Sequence, residues 1–185
     1  MVVHSAGLLL YRLDPTPQVL IAHMGGPFWA KKDAGAWSIP KGEYDPDTES
    51  AQDAARREFR EELGVDPPET GWAELGTFAY SSGKKVVVFC GDGAGFTASG
   101  FTFGTFEMEW PPRSGRTASF PEVDRAEWMD LDAARDALVK GQRPAIDALA
   151  SALEALPGVA SVRGLGLLLV SLVAVVGLAK AMSPA

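Results

Sequence analysis

The stretch that decides the fold is GEYDPDTESAQDAARREFREELGV, residues 42–65. Its second half predicts a helix in which successive side chains are about 100° apart, so that Glu58, Glu61 and Glu62 share one face. Three carboxylates at this spacing repel one another unless a cation lies between them. The pattern therefore predicts a metal site with oxygen ligands, which favours Mg²⁺ with Mn²⁺ as its substitute, and a substrate that carries phosphates.

Both ends of this helix are marked in the sequence. Thr48 or Ser50 can cap the N-terminus, and Gly64 provides the usual stop before a proline pair. Phe59 and Leu63, four residues apart, form the apolar side that anchors the helix in a core. These signals predict a helix with one buried face and one acidic face.

Arg57 lies next to the first glutamate of the acidic face. An arginine holds a carboxylate through two parallel hydrogen bonds, a geometry that lysine cannot copy. We expect its partners to be Glu49 and Glu62.

These residues resemble the signature of the Nudix hydrolase family, G-x5-E-x7-R-E-U-x-E-E-x-G-U, where U is a bulky apolar residue. Glu49, seven intervening residues and the run 57–65 reproduce everything after the first glycine, whereas six residues rather than five separate Gly42 from Glu49. The resemblance implies an α/β fold, the Nudix α/β/α sandwich with a mixed β-sheet, in a domain spanning residues 1–156.

The resemblance also implies the roles of the acidic residues. The metal ligands would be the carbonyl of Gly42 and the carboxylates of Glu58, Glu61 and Glu62. The segment 120–128, FPEVDRAEW, is similar to a stretch of the diadenosine tetraphosphate hydrolases in which a loop glutamate adds a further ligand, here Glu122. The resemblance implies that Glu58, or as second choice Glu62, accepts the proton of the attacking water, and that Arg57 and Glu49 complete the catalytic set.

Phosphate-binding residues follow from shorter resemblances. WSIPKG, residues 37–42, is similar to the W-x-x-P-K-G entry of Nudix enzymes that act on nucleoside polyphosphates, which implies a phosphate contact for Lys41. FAY, residues 78–80, followed by KKVVVF, residues 84–89, resembles their hairpin, in which Tyr80 and Lys84 or Lys85 would face the nucleotide. The alternatives are a half-buried strand position for Tyr80 and a solvated turn for the lysines. Arg116 would hold a distal phosphate or be an ordinary loop charge.

A coarse reading of the remaining sequence gives alternating elements. Apolar and β-branched runs predict strands at 2–11, 18–24, 72–80, 84–90, 101–110 and 123–130. Helical periodicity predicts helices at 132–139 and 145–156, with Pro144 at the entry of the second. Phe28 and Trp29, in the loop between the second strand and the signature, are candidates for stacking on a base or for ordinary core packing.

Composition excludes several classes of protein. The 185 residues are 46% hydrophobic and 22% charged, which suits one globular domain, and the net charge is −7. This charge argues against a nucleic-acid-binding surface, which needs clustered cations. The single cysteine, Cys90, rules out an intrachain disulfide and suits a reducing cytoplasm, and its apolar surroundings predict burial.

The C-terminal segment, residues 157–185, lies outside the resemblance. Its run 164–179, GLGLLLVSLVAVVGLA, has no charge and is bracketed by Arg163 and Lys180. As a helix it would span roughly 24 Å, short of the roughly 30 Å of a bilayer core. We expect a hydrophobic tail helix that is a membrane anchor, a docked or oligomer-forming helix, or an accidental extension. The N-terminus begins with strand-like sequence, so we do not expect secretion, and the sequence leaves the oligomeric state open.

The sequence therefore predicts a cytoplasmic Nudix hydrolase, with membrane association through the tail as an option. Its expected partner is a small nucleoside polyphosphate, such as a dinucleoside polyphosphate or a nucleoside triphosphate, cleaved at a pyrophosphate linkage with Mg²⁺. One alternative is a non-catalytic nucleotide sensor, although no signature glutamate is lost. Another is a hydrolase of a lipid-linked or prenyl diphosphate at a membrane.

Overall fold

The computed structural model describes residues 3–14, 16–80 and 82–156. These ranges contain nine strands, three α-helices and a short 3₁₀ turn. In chain order the elements are β1 His4–Arg12, β2 Gln18–Met24, β3 Trp37–Ser38, β4 Lys41–Glu43, α1 Ala51–Leu63, β5 Ala73–Ala79, β6 Lys85–Asp92, β7 Thr105–Glu109, β8 Thr117–Pro121, β9 Val123–Asp130, α2 Leu131–Ala137, the turn Lys140–Gln142 and α3 Arg143–Glu154.

Seven of the strands form one mixed sheet. Its main path is β3-β2-β1-β6-β5, while β4 pairs with β1 and β9 pairs with β2. Strands β1 and β6 run parallel, and the other pairs are antiparallel. The remaining two strands, β7 and β8, form a separate antiparallel hairpin between β6 and β9. The predicted α/β fold with a mixed sheet is confirmed.

Helices cover both faces of the large sheet. Leu8 and Leu9 of β1 are both fully buried but point to opposite sides, as successive strand side chains do. Leu8 packs with Phe59 and Leu63 of α1, and Leu9 packs with the core under α2 and α3, which includes Leu149. This arrangement is the predicted α/β/α sandwich, and it leaves the acidic face of α1 on the side of β4.

The segment before the hairpin differs from its prediction. A strand was expected at 101–110, but only Thr105–Glu109 is a strand. Phe101 and Phe103 instead pack in a row with Phe96, which contacts Phe59 of α1 at 5.9 Å between ring centroids. Burying these rings on the helix is more favourable than extending the strand into solvent.

A buried glutamine joins the C-terminal helices to the entry of the signature. The side-chain oxygen of Gln142 accepts a hydrogen bond from the backbone N–H of Ile39 at 2.7 Å. Its amide nitrogen donates to the hydroxyls of Ser38, at 2.9 Å, and Tyr80, at 2.7 Å. Every polar atom of this side chain amide is therefore used, as burial requires.

Two expectations concern single regions of the chain. Cys90 is buried, as expected, and burial raises the pKa of its thiol to about 12. The tail, residues 157–185, lies outside the described residues, so the expected tail helix and membrane anchor stay predictions. Within the described ranges, none of the helices has the length and apolar character needed to cross a membrane.

Candidate active site

The helix that carries the acidic residues has the predicted caps. Ser50, rather than Thr48, is the N-cap, and its Oγ accepts a hydrogen bond from the backbone N–H of Asp53 at 3.1 Å. Gly64 ends the helix in the left-handed conformation, with φ of 73°, which glycine adopts without steric cost. Phe59 and Leu63 are fully buried and fix the rotation of the helix.

The extra residue between Gly42 and Glu49 is absorbed in a turn. Asp45 organises this turn, because its side chain accepts from the N–H of Asp47 at 3.0 Å and its carbonyl accepts from the N–H groups of Thr48 and Glu49 at 3.0 and 2.9 Å. Such side-chain-stabilised turns are a common way to close a tight loop. The insertion therefore leaves Glu49 at the start of α1, within reach of Arg57.

Arg57 joins four groups around the acidic face. Its Nε and Nη2 donate to the two carboxylate oxygens of Glu49 at 3.0 and 2.9 Å. Its Nη1 donates to Glu58 at 2.5 Å and to Glu61 at 2.9 Å, and Nη2 also reaches the carbonyl of Glu43 at 3.2 Å. The expected pairing with Glu49 is present, whereas the expected pairing with Glu62 is replaced by pairs with Glu58 and Glu61.

Glu62 lies on the other edge of the acidic face, under Lys41. Burial raises the pKa of its carboxyl to about 7, and the nearby charges of Glu58 and Glu122 act in the same direction. The ammonium and the backbone N–H of Lys41 oppose the shift because both favour the ionised form. Lys41 is thus positioned within the electrostatic reach of the acidic residues.

Gly42 lies directly against the carboxylate of Glu58. In β4 it pairs with Ala6 of β1, and a Cβ added to Gly42 would stand 2.0 Å from Cδ and from Oε2 of Glu58. Only glycine leaves room for this approach. Burial raises the pKa of Glu58, while the hydrogen bond and the charge of Arg57 lower it.

Glu122 reaches the same region from the loop after the β7–β8 hairpin. Its backbone is fixed on both sides, since its N–H donates to the carbonyl of Gly104 and its carbonyl accepts from the N–H of Gly25, both at 2.8 Å. A Cβ built on Gly104 would be 3.2 Å from Oε2 of Glu122 and 3.1 Å from the carbonyl oxygen of Glu61. The loop glutamate is therefore adjacent to the last turn of α1.

The donor set fits a hard cation. Carboxylates of Glu58, Glu61, Glu62 and Glu122 and the carbonyl of Gly42 are all oxygen donors, the ligands that Mg²⁺ prefers. Among the described residues, no group of three or more His, Cys, Asp or Glu side chains is placed so that it could hold a metal ion as it stands. Arg57 and Lys41 instead balance part of the negative charge.

A family model for the NUDIX domain matches residues 3–149. The chain belongs to the Nudix family. Enzymes of this family generally use divalent metals, which agrees with the donor set of the Nudix helix in this chain.

Solved structures show the same Nudix fold at low sequence identity. An Ap4A hydrolase binary complex from C. elegans is 18% identical, with a TM-score of 0.53. The match covers 80% of this chain and 96% of the hydrolase. The NUDIX domain of Shewanella oneidensis NrtR, complexed with ADP ribose, is 16% identical, with a TM-score of 0.53 and coverages of 80% and 86%. The E. coli ORF135 protein is 20% identical, with a TM-score of 0.50 and coverages of 83% and 91%. The search of curated proteins gives no sequence match.

The cationic candidates of this Nudix domain lie at different distances from the acidic face. Lys84 is half-buried, and its Nζ is 3.1 Å from Oε1 of Glu43, next to Gly42. Lys85 is exposed on β6 opposite His4. Arg116 is exposed immediately before β8, roughly 20 Å along the extended chain from Glu122. Lys41 and Lys84 therefore border the acidic residues, and Arg116 does not.

Tyr80 is placed on the opposite face of the sheet. Its ring packs with the core under α2 and α3, so closely that a Cβ on Gly141 would be 2.6 Å from it. The Tyr80 hydroxyl accepts a hydrogen bond from the side-chain amide of Gln142, and burial raises the pKa of this hydroxyl. The structure thus gives Tyr80 the half-buried position of the alternative and does not bring it to the acidic face.

A buried histidine in β2 was not recognised in the sequence. His23 of β2 is fully buried. Its Nδ1 is 2.7 Å from a carboxylate oxygen of Asp124, and its Nε2 is 2.8 Å from the carbonyl of Lys32. His23 thereby ties the loop after β2 to β9, and an isolated histidine in an apolar strand gives no sequence signal for such a role.

Arg57→Lys is expected to lower kcat/KM of the hydrolysis about 10- to 100-fold, the range seen when a residue that orients metal ligands is lost. The lysine keeps the charge but cannot bridge Glu49, Glu58 and Glu61 at once. Steady-state kinetics over a range of Mg²⁺ concentrations checks this, with Arg56→Lys as the control, because Arg56 pairs with the exposed Glu69. Equal activity of the two variants would contradict a positioning role for Arg57.

Proposed function

We propose that this protein is a Mg²⁺-dependent hydrolase that cleaves a pyrophosphate linkage in a nucleoside polyphosphate. The observation that carries the proposal is the approach of Glu58, Glu62 and Glu122 to one another beside Gly42, with Lys41 among them. Every carboxylate of the Nudix signature is present, which favours turnover over ligand sensing alone. The ligands named for two fold relatives, Ap4A and ADP ribose, support a nucleotide as the substrate class.

In this mechanism the cation would be held by the carboxylates of Glu58, Glu61, Glu62 and Glu122 and by the carbonyl of Gly42. When bound, it supplies charge neutralisation at the phosphate oxygens and lowers the pKa of a water molecule. Glu58, which lies against Gly42, accepts the proton of the attacking water, with Glu62 as the alternative acceptor.

Positioning of the substrate depends on the cations and on Arg57. Lys41 and Lys84 border the acidic face and would hold the phosphates next to the cleaved bond, and the exposed Lys85 and Arg116 are available to more distal phosphates of a long chain. Arg57 would orient Glu58 and Glu61 through its shared hydrogen bonds. Tyr80 is left out of this arrangement because its hydroxyl is engaged by Gln142.

The test is product release from a panel of diadenosine polyphosphates, nucleoside triphosphates and prenyl diphosphates, with Mg²⁺ and after chelation by EDTA. We expect Mg²⁺-dependent turnover of a nucleotide class, lowered at least about tenfold by Glu61→Gln. Glu74→Gln, at an exposed position of β5, is the matched control and is expected to have full activity. Binding without turnover across the panel would favour the sensor, and turnover of prenyl diphosphates alone would favour the lipid substrate.

A further inference from the structure

A pocket of about 390 Å³ opens between the loop after β2 and the β7–β8 hairpin. We call it the hairpin pocket. Its lining residues are Met24, Gly25, Gly26, Pro27, Phe28, Trp29, Phe106, Met108 and Glu122. The volume lies at the lower end of the range for small-molecule sites, which suits a single ring system and its sugar.

The hairpin pocket depends on two glycines that let the loop approach the hairpin. A Cβ on Gly25 would be 2.1 Å from the carbonyl oxygen of Pro121. Gly26 has φ of 80°, and a Cβ there would be 3.1 Å from the ring of Phe106. Phe106 and Met108 alternate with Glu107 along β7, so the first two face the pocket and Glu107 faces away.

The walls of the pocket are braced by other contacts. The ring of Phe28 meets Trp110 edge to face at 5.5 Å, and Phe120 packs against both Trp110, at 6.1 Å, and Phe106, at 6.2 Å. The loop itself is tied to the sheet by the bond between His23 and the carbonyl of Lys32. A braced pocket loses little conformational entropy when a ligand enters.

Glu122 connects the hairpin pocket to the candidate active site. It lines the pocket, and its carboxylate also acts on Glu62 and lies near the last turn of α1. A ligand whose apolar part fills the pocket therefore has its adjoining polar part next to the acidic face. This continuity makes the pocket a subsite for the organic portion of a phosphate-bearing substrate.

The lining favours a flat aromatic ring over an alkyl chain. Three of the lining residues are aromatic and two are methionines, and none of them is Leu, Ile or Val. Phe28 is 54% exposed, so a large part of its surface is open to a ligand. Aromatic faces bind planar rings by stacking, and methionine adapts to ring edges.

We propose that the hairpin pocket binds the base of the nucleoside polyphosphate, between the loop of Phe28 and Trp29 and the Phe106–Met108 face of the hairpin. The proposal rests on the proposed function for the phosphate end of the substrate. The base would then be bound by the β7–β8 hairpin, which lies between β6 and β9 in the chain. The end of β5, next to Tyr80, would not contact the base.

Calorimetric titration of the full chain with AMP, GMP and geranyl monophosphate, in Mg²⁺, tests the pocket directly. Phe106→Ala and Met108→Ala are expected to weaken binding of at least one nucleotide by about fivefold or more, the scale of one lost stacking or packing contact to a base. Glu107→Ala, on the same strand but the opposite face, is expected to change the nucleotide affinity by less than about twofold. In kinetics, KM should rise more than kcat falls. Thermal melting identifies a variant that has lost the hairpin, and Met108→Ala is the milder of the two.

The outcomes separate the pocket from the hydrolase. Nucleotide binding that is weakened by both pocket variants, without any turnover by the parent chain, would support the pocket and contradict hydrolysis. Turnover with nucleotide binding and KM equal in Met108→Ala and Glu107→Ala would overturn the pocket and leave the hydrolase intact. Tighter binding of geranyl monophosphate than of either nucleotide, weakened by the same variants, would overturn the choice of a base as the occupant.

Discussion

Glu58→Gln is expected to lower kcat/KM by about 10²- to 10³-fold while the fold is kept. The glutamine has nearly the same shape, but it removes the negative charge that faces Gly42 and can no longer accept a proton at neutral pH. Charge stabilisation by a bound cation is worth several kcal/mol, and each tenfold of rate corresponds to about 1.4 kcal/mol. The effect should exceed that of Glu61→Gln, because the Glu58 side chain is 14% exposed and that of Glu61 is 53% exposed.

Steady-state kinetics at saturating and limiting Mg²⁺ measure this effect. Glu69→Gln is the matched control, since Glu69 is exposed and pairs with Arg56 on the outer side of α1, where an ion pair contributes little to stability. If Glu58→Gln kept more than about a tenth of the parent activity, the assignment of Glu58 as both metal ligand and proton acceptor would be wrong.

Gly42→Ala is expected to reduce kcat/KM by about 10²-fold without adding or removing any charge. The new methyl would overlap the Glu58 carboxylate, which it would approach to 2.0 Å, so either Glu58 rotates away or β4 shifts on β1. A displacement of about 1 Å at a reacting group is sufficient for a loss of this size. The predicted role of the Gly42 carbonyl as a ligand would be disturbed at the same time.

Kinetics and thermal melting of Gly42→Ala are compared with those of Gly71→Ala. Gly71 has φ of 72° and no neighbouring atom within 4 Å of an added Cβ. Its replacement therefore costs backbone strain of roughly 1 kcal/mol but no collision. We expect Gly71→Ala to melt at a lower temperature with normal kcat/KM. Normal kcat/KM in Gly42→Ala would show that Glu58 need not stay against β4.

The parts of the molecule that the sequence predicted best are those specified by near neighbours in the chain. The bounds, caps and buried face of α1 depend on residues within one or two turns, such as Ser50, Phe59 and Gly64, and their signals agree with one another. The strand at 123–130 was predicted to the residue. The brief β3 and β4 were not predicted, because two or three residues contain too little periodicity.

The features that the sequence left open or did not predict depend on contacts between distant segments. Tyr80 has the sequence context of a nucleotide contact, but its partner, Gln142, is 62 residues away. Arg57 could reach either edge of the acidic face, and only the fold shows that Lys41 covers Glu62 on the other edge. The hairpin pocket joins the loop after β2 to the β7–β8 hairpin, two segments that no local sequence pattern relates to each other.

Gln142 has a consequence for the lifetime of the enzyme. The Gln142 side chain accepts a hydrogen bond from the backbone N–H of Ile39, which is three residues before Gly42. Gln142 is itself held in the turn that leads into α3. Opening of the C-terminal helices would leave the Ile39 amide without its buried acceptor and would loosen the strand that places Gly42 under Glu58. Heat inactivation would then follow the melting of helices that contribute no side chain to the reaction.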